Sequence, residues 1–152
     1  MTDVPNSTIV RTFAATPEDV FDAWVTPASF AAWWGGSGVE VPLDSVAMDV
    51  RADGTWKATM ILGNDMPDIH WFGEFLEVDR PHKLVMTLTD RPGDARGLVT
   101  VTFAAVEGGT EMHFRQTGGP MTQEEYDQAT AGWRTFFDAM DALLAAQRSA
   151  LR

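Results

Sequence analysis

The sequence predicts an α+β domain in which a curved antiparallel sheet wraps around one long C-terminal helix, with two short helices after the first strand. Three observations predict this class. Residues 121–147 form the longest window in which apolar residues recur at helical spacing. Six windows between residues 48 and 117 alternate apolar and polar residues with period two, and turn residues separate them in pairs. At 152 residues the chain is expected to form a single domain, residues 1–152.

The first strand and the two short helices are indicated by local signals. Residues 7–14 have the β-branched content of a strand. Thr16 and Pro17 suit the N-cap and first position of a helix, and Thr26-Pro27 repeats the signal. The glycines after Trp34 end the second helix.

Three hairpins are predicted to follow these helices. In the first, Gly54 suits the left-handed position of a three-residue loop, which would place Val50 and Trp56 on one face of the sheet. Consecutive antiparallel strands form one sheet, and its concave face is the surface wide enough to cover the apolar stripe of the helix. The hairpins join residues 48–51 to 56–61, 70–78 to 84–89, and 98–106 to 110–117.

The long helix is predicted to begin at a capping box formed by Thr122 and Glu125. Its stripe includes Trp133, Phe137 and Met140, and burial of each such side chain contributes about 1.5–3 kcal/mol. Another part of the fold must therefore pack against this apolar face of the helix.

The charge of the chain argues against some classes of binding partner. The chain has 11 Lys and Arg residues against 22 Asp and Glu residues, for a net charge of −11. This acidic field repels phosphate groups, so we expect no nucleic acid and no membrane as partner. The N-terminal segment lacks the apolar core of a signal peptide, and a cytoplasmic location is expected.

Motifs for catalysis and metal binding are missing from the sequence. His70, His82 and His113 match no metal-binding spacing, and no cofactor is predicted. Ser37 lies among glycines, but Val39 occupies the place where a nucleophile elbow needs its second glycine.

Five segments, in order, give the chain a resemblance to a known family. It resembles the START-like, or helix-grip, superfamily, and within it the homologues of the activator of the heat-shock-protein-90 ATPase. The resemblance implies a pocket between sheet and long helix that holds a small apolar ligand. The segments are ATPEDVFDAWVTPASFAAWWGGSG, MDVRADGTWKATM, HWFGEFLEVDRPHKLVMT, GGTEMHF and GWRTFFDAMDALL.

A set of residues predicted to face inward forms the candidate ligand-binding site. As an alternative, the same side chains simply fill the core. His70 is the candidate polar group beside the pocket. Trp33 and Trp34 are placed at its mouth, where they either gate entry or divide their roles, one packing inward and the other covering the rim. The set is Trp56, Met60, His70, Phe75, Met86, Leu88, Phe114, Trp133, Phe137 and Met140.

Three functions are compatible with this pattern. The first is non-enzymatic binding of a small apolar molecule. The second is a cyclase or hydrolase that uses the same pocket and needs a buried ionisable group there, for which His70 is the candidate. The third, implied by the resemblance alone, is a chaperone-associated interaction protein of the stress response. A homodimer formed through sheet edges is the expected assembly.

Overall fold

The structure of the protein, a computed structural model, describes residues 4–91, 93, 96–119 and 121–150. The elements follow the predicted order of one strand, two short helices, six strands and one long helix. They are β1 (Ser7–Phe13), α1 (Pro17–Val25), α2 (Pro27–Trp33), a 3-10 turn (Leu43–Ser45), β2 (Ala47–Met48), β3 (Thr55–Met60), β4 (Ile69–Asp79), β5 (Lys83–Leu88), β6 (Gly97–Val106), β7 (Gly109–Gly118) and α3 (Gln123–Ala150).

The seven strands form one antiparallel sheet in the order β1-β7-β6-β5-β4-β3-β2. The register of β4 against β5 shifts between Phe75 and Glu77, and such a bulge bends a strand and increases its twist. The side chains of Trp133, Phe137 and Met140 on α3 are buried. The predicted α+β, helix-grip fold class is therefore confirmed.

Side-chain hydrogen bonds confirm the predicted starts of α1 and α3, whereas the Thr26 side chain makes no capping bond at the start of α2. The Asp19 amide donates to Thr16 Oγ1 at 3.2 Å, which caps α1. At α3 the Glu125 amide donates to Thr122 Oγ1 at 3.2 Å, and the Thr122 amide donates to Glu125 Oε1 at 3.1 Å. This reciprocal pair satisfies two amides that the helix itself leaves without partners.

The first hairpin differs from its prediction. Strand β2 contains only Ala47 and Met48, and it is Met48 that pairs with Trp56. Val50 lies outside the strand and is 38% exposed, whereas Trp56 is buried. The expectation that Val50 and Trp56 share a face is therefore wrong.

The turn of this hairpin explains the difference. Its left-handed residue is Asp53, with φ of 68°, and not Gly54. The Asp53 amide donates to the Phe75 carbonyl and the Phe75 amide to the Gly54 carbonyl, both at 2.8 Å, so the turn is bound to β4. A Cβ at Gly54 would lie 1.9 Å from the Asp49 carbonyl oxygen, and glycine is needed for this close approach.

The core between the sheet and the helices is rich in aromatic residues. Trp24, Trp33 and Phe30 are completely buried, and the Trp33 indole nitrogen donates to the Ala23 carbonyl at 2.7 Å. Trp33 thus packs into the core, in agreement with the alternative in which one of Trp33 and Trp34 faces inward. No helix within the described ranges is long and apolar enough to span a membrane.

Candidate functional site

An apolar space of about 230 Å³, which we call the inner cleft, lies between the N-terminal half of α3 and the sheet. Trp34, after α2, and Met121, before α3, complete its wall. The sheet contributes Trp71, Leu88 and Gln116, and α3 contributes Ala129, Gly132, Trp133 and Phe136.

Small residues on α3 leave this space open. A Cβ placed at Gly132 would have no heavy atom within 4 Å. Ala129, one turn earlier, is also small and lines the cleft. Further along the helix, Phe137, Met140 and Leu144 are at most 2% exposed and fill the corresponding space. The same helix is therefore packed along its C-terminal half and stands over a cleft along its N-terminal half.

Aromatic rings form the walls of the inner cleft. The ring centroid of Trp34 lies 5.4 Å from that of Trp133, 5.4 Å from that of Phe136 and 5.9 Å from that of Trp71. The planes of Trp34 and Trp71 are nearly perpendicular, at 89°. Edge-to-face contacts between aromatic rings are favourable, and here they stabilise the positions of the side chains that line the inner cleft.

Gln116 is the one polar side chain among the described residues that line the inner cleft, apart from the indole nitrogens, and it is only 7% exposed. The Trp133 indole nitrogen donates to Gln116 Oε1 at 2.9 Å. Because an indole nitrogen can only donate, this bond assigns the oxygen of the amide. The amide nitrogen lies 3.2 Å from the position that a Cβ of Gly97 would take.

A second, more polar space of about 300 Å³, the outer cleft, adjoins the first. Trp71, Leu88, Gln116 and Met121 line both. The outer cleft adds Gly97 and a rim of exposed charged residues, which are Asp90, Arg91 and Glu125.

Tyr126 closes one side of the outer cleft. Its hydroxyl donates a hydrogen bond to the Gly118 carbonyl, between the end of β7 and the first turn of α3. Burial raises the pKa of the Tyr126 phenol above its ordinary value, because a phenolate would lose hydration.

The nine apolar residues of the predicted site occupy three kinds of place. Leu88 and Trp133 line the inner cleft. Trp56 lines a separate groove beside β2, and its indole nitrogen donates to the Thr87 carbonyl at 2.9 Å. The other apolar members are at most 4% exposed and belong to the core cluster, so a ligand-binding role for them stays a prediction. They are Met60, Phe75, Met86, Phe114, Phe137 and Met140.

His70 does not lie beside the inner cleft. It is exposed, and its Nδ1 lies 3.0 Å from Thr59 Oγ1 on β3. Side chains alternate along a strand, and the next residue, Trp71, lines the cleft. His70 therefore faces the opposite side of the sheet. The prediction placed His70 and Phe75 on one face although they are five positions apart.

Sequence reasoning missed Trp71, Gln116, Met121 and Gly132, although two of them carried a signal. Gln116 follows Met112 and Phe114 at intervals of two, so a polar residue occupies an inward position of β7. Gly132 follows Ala129 by three positions, on the apolar side of α3. A polar residue facing inward and two small residues on a helical stripe both favour a cavity.

No cluster of three or more His, Asp or Glu residues that could hold a metal ion is found among the residues described. The chain contains no cysteine. The chemistry that this arrangement supports is recognition of an apolar surface with one amide available for hydrogen bonding.

Comparison with known proteins connects the chain to one family. The family profile described as "Activator of Hsp90 ATPase homolog 1-like protein" matches residues 14–145. No curated protein matches the sequence significantly.

Solved structures show the same fold at low sequence identity. A protein of unknown function from Staphylococcus aureus has a TM-score of 0.84 and 18% identity, over 95% of each chain. A protein from Chromobacterium violaceum has a TM-score of 0.80 and 23% identity, over 92% of this chain and 96% of its own. The AHSA1-like protein from Aeromonas hydrophila has a TM-score of 0.76 and 21% identity, over 93% of each chain.

Proposed function

The chain belongs to the family of activator of Hsp90 ATPase homolog 1-like proteins, and from its geometry we propose that it binds a small apolar molecule in the inner cleft without transforming it. The observation that carries this proposal is the open space over Gly132, enclosed by aromatic and aliphatic side chains. Ligand sites in proteins are concave and mostly apolar, with a few polar groups that fix orientation.

The size of the inner cleft supports a small guest. Its volume of about 230 Å³ lies between an apolar cavity of about 150 Å³, which accepts benzene, and the lower limit of about 300 Å³ for drug-sized pockets. A bicyclic aromatic hydrocarbon such as naphthalene is therefore a suitable probe.

The proposal is tested by filling the cleft. In Gly132→Leu the new side chain would occupy the open space, whereas Ala131→Leu adds the same group at an exposed neighbouring position of α3. We expect naphthalene to change the tryptophan fluorescence of the wild type and of Ala131→Leu, and to raise their melting temperatures. Ligand at about 100 times its Kd stabilises the folded state by roughly 2.7 kcal/mol.

Loss of this response in Gly132→Leu alone is the expected result. Absence of naphthalene binding in the wild type, or equal binding by both variants, contradicts the proposal. Both variants must show the far-ultraviolet circular dichroism of the wild type, so that a loss of binding is not a loss of fold.

The cyclase or hydrolase alternative is not supported by the residues of the inner cleft. It required an ionisable side chain in this space, and the described residues lining it include none. His70, its candidate, faces the other side of the sheet.

Contact with a chaperone is a second candidate, supported by the family to which the chain belongs. Purified heat-shock protein 90 is the probe, and calorimetric titration is the measurement. Binding accompanied by a higher ATPase rate supports this function, and a flat titration contradicts it.

A further inference from the structure

We propose that Gln116 selects the ligand, and that the ligand class is a planar aromatic molecule of one or two rings that carries a neutral hydrogen-bond acceptor such as a ketone. This inference rests on the proposed function and specifies what the same cleft accepts. Three features of the cleft carry it: its flat walls, the orientation of the Gln116 amide and the charges at the rim.

The walls favour a flat guest. Trp34, Trp71, Trp133 and Phe136 present ring faces and edges to one space of about 230 Å³. Aromatic pairs in offset or edge-to-face arrangement gain about 0.5–1.5 kcal/mol beyond the burial of their area. A flexible aliphatic ligand gains no ring–ring interaction energy, and it loses conformational entropy when the cleft confines it.

The Gln116 amide supplies a donor where the two clefts meet. Its oxygen accepts from the Trp133 indole nitrogen at 2.9 Å, which fixes the rotation of the amide. The amide nitrogen lies on the side of Gly97, which lines the outer cleft. An amide nitrogen is a donor only, so a ligand atom placed there must accept a hydrogen bond.

Gly97 lies directly against the Gln116 amide nitrogen, and glycine is needed for this close approach. A Cβ at this position would lie 3.2 Å from Gln116 Nε2 and 3.2 Å from Leu88 Cδ2, closer than ordinary packing permits. Gln116 and Gly97 both line the outer cleft, so a ligand with its rings in the inner cleft would reach the amide from the outer cleft.

The charges around the outer cleft favour a neutral acceptor over an anion. Its described rim carries the carboxylates of Asp90 and Glu125 against the guanidinium of Arg91. The whole chain carries a net charge of −11. An anionic ligand would approach a negative field, whereas a ketone would not.

Three probes of the same ring system test the inference. Naphthalene has no acceptor, 2-acetylnaphthalene has a neutral acceptor, and 2-naphthoate has an anionic one. In the wild-type protein, calorimetry should show 2-acetylnaphthalene binding about 2- to 10-fold more tightly than naphthalene, the usual net value of one hydrogen bond. Naphthoate should bind more weakly than the ketone.

Matched variants assign the preference to Gln116. Gln116→Met keeps the length of the side chain but removes the donor, and we expect it to bind naphthalene and 2-acetylnaphthalene equally. Gln128→Met makes the same substitution at an exposed position of α3 and should keep the wild-type preference. Gln116→Glu, which keeps an acceptor for Trp133, is the second variant if Gln116→Met does not fold. It is measured at a pH at which its carboxyl group is ionised, because a protonated carboxyl would itself donate to the ketone, and the carboxylate should lose the preference.

The outcomes separate this inference from the proposed function. Equal affinity of the wild type for naphthalene and 2-acetylnaphthalene, or an unchanged preference in the folded Gln116 variant, overturns the role of Gln116 but leaves the cleft as a binding site. Tighter binding of 2-naphthoate than of 2-acetylnaphthalene overturns the inference that the ligand carries a neutral acceptor. Failure of all three probes to bind overturns the proposed function itself.

Discussion

Gly132 and Trp133 are consecutive residues of α3, and both line the inner cleft. Gly132 has no side chain, whereas Trp133 has the largest side chain of any residue type. A glycine inside a helix destabilises it by about 0.5–1 kcal/mol relative to alanine. The position is therefore locally unfavourable, and the space that it leaves above the sheet is what distinguishes this part of the helix from the rest.

Gly132→Ala is expected to raise the free energy of unfolding by about 0.5–1 kcal/mol, since the added Cβ meets no heavy atom within 4 Å. Gly73→Ala is the contrasting variant. There the Cβ would lie 1.9 Å from the Thr87 carbonyl oxygen, and unfolding should become easier. Urea denaturation measures the free energy of unfolding of both variants. A lower value for Gly132→Ala than for the wild type would contradict the conclusion that the space beside Gly132 is open.

Tyr126 supplies a second prediction for a single residue. Burial raises the pKa of its phenol, so the neutral form stabilises the folded state. This contribution is fully present below the unfolded pKa of about 10 and is lost as the pH rises through the folded pKa. Tyr126 is the only tyrosine, so the ultraviolet absorbance of tyrosinate reports on it alone. The pH at which half of Tyr126 is ionised should be higher in the native protein than in the protein unfolded by denaturant. Equal values in the two states would contradict the burial of Tyr126.

At the scale of elements, α3 combines a strong start with uneven packing. The reciprocal hydrogen bonds of Thr122 and Glu125 fix its first turn, next to the outer cleft that Glu125 lines. The inner cleft lies beside this half of the helix, whereas Phe137 and Leu144 in the other half are buried in the core. The cap therefore matters more for this end than for a fully packed helix, in which packing supplies most of the stability.

Thr122→Ala is expected to lower the free energy of unfolding by about 1 kcal/mol, within the usual range of 0.5–2 for loss of an N-cap side chain. Thr122→Ser keeps the hydroxyl and is the matched control. Urea denaturation of the three proteins is the measurement. Equal stability of Thr122→Ala and the wild type would show that the capping box does not hold this end.

At the scale of the whole molecule, the core extends across the sheet from β1 to β3, and the inner cleft interrupts it beside the N-terminal half of α3. Strand β1 lies beside β7, and Arg11 on β1 pairs with Asp138 on α3 at 2.7 Å. Trp24 and Phe137 pack together on the same side. The inner cleft lies beside the N-terminal half of the helix, and the sheet lines it with Trp71, Leu88 and Gln116.

Hydrogen exchange should report this asymmetry. Amides in residues 126–133 of α3 are expected to exchange faster than those in residues 137–144, because opening of a segment with fewer packed contacts costs less free energy. A ligand in the inner cleft should slow the first segment more than the second. Mass spectrometry of peptides from both segments provides the measurement. Equal protection of both halves without ligand would mean that the cleft does not weaken the helix.

The fold was largely predictable because its signals are local and repeated. The caps at Thr16 and Thr122, the strand alternation and the turn residues each restrict a few residues, and together they allow few arrangements. The exception is the first hairpin, where Gly54 was assigned a left-handed conformation. There the backbone of β4 binds the turn through Phe75, a contact that is remote in sequence.

The candidate site was less predictable than the fold. Leu88 and Trp133 line the inner cleft, whereas Phe75, Phe137 and Met140 are core residues with the same sequence pattern. Large apolar side chains fill a core and line a cavity equally well, so residue type does not separate the two. The prediction for His70 is wrong because side chains alternate along β4, which places Trp71 and Phe75 on one face and His70 on the other.

The sequence alone determined the fold class, the order of the elements and the start of α3, because these depend on periodicity and on hydrogen bonds between near neighbours. Tertiary structure decided where the sheet and helix separate, since a cavity is the space left when the volumes of residues distant in the chain do not add up to a filled interior. Trp71, Gln116 and Gly132 come from three different elements, and only the packing of those elements brings them to one cleft.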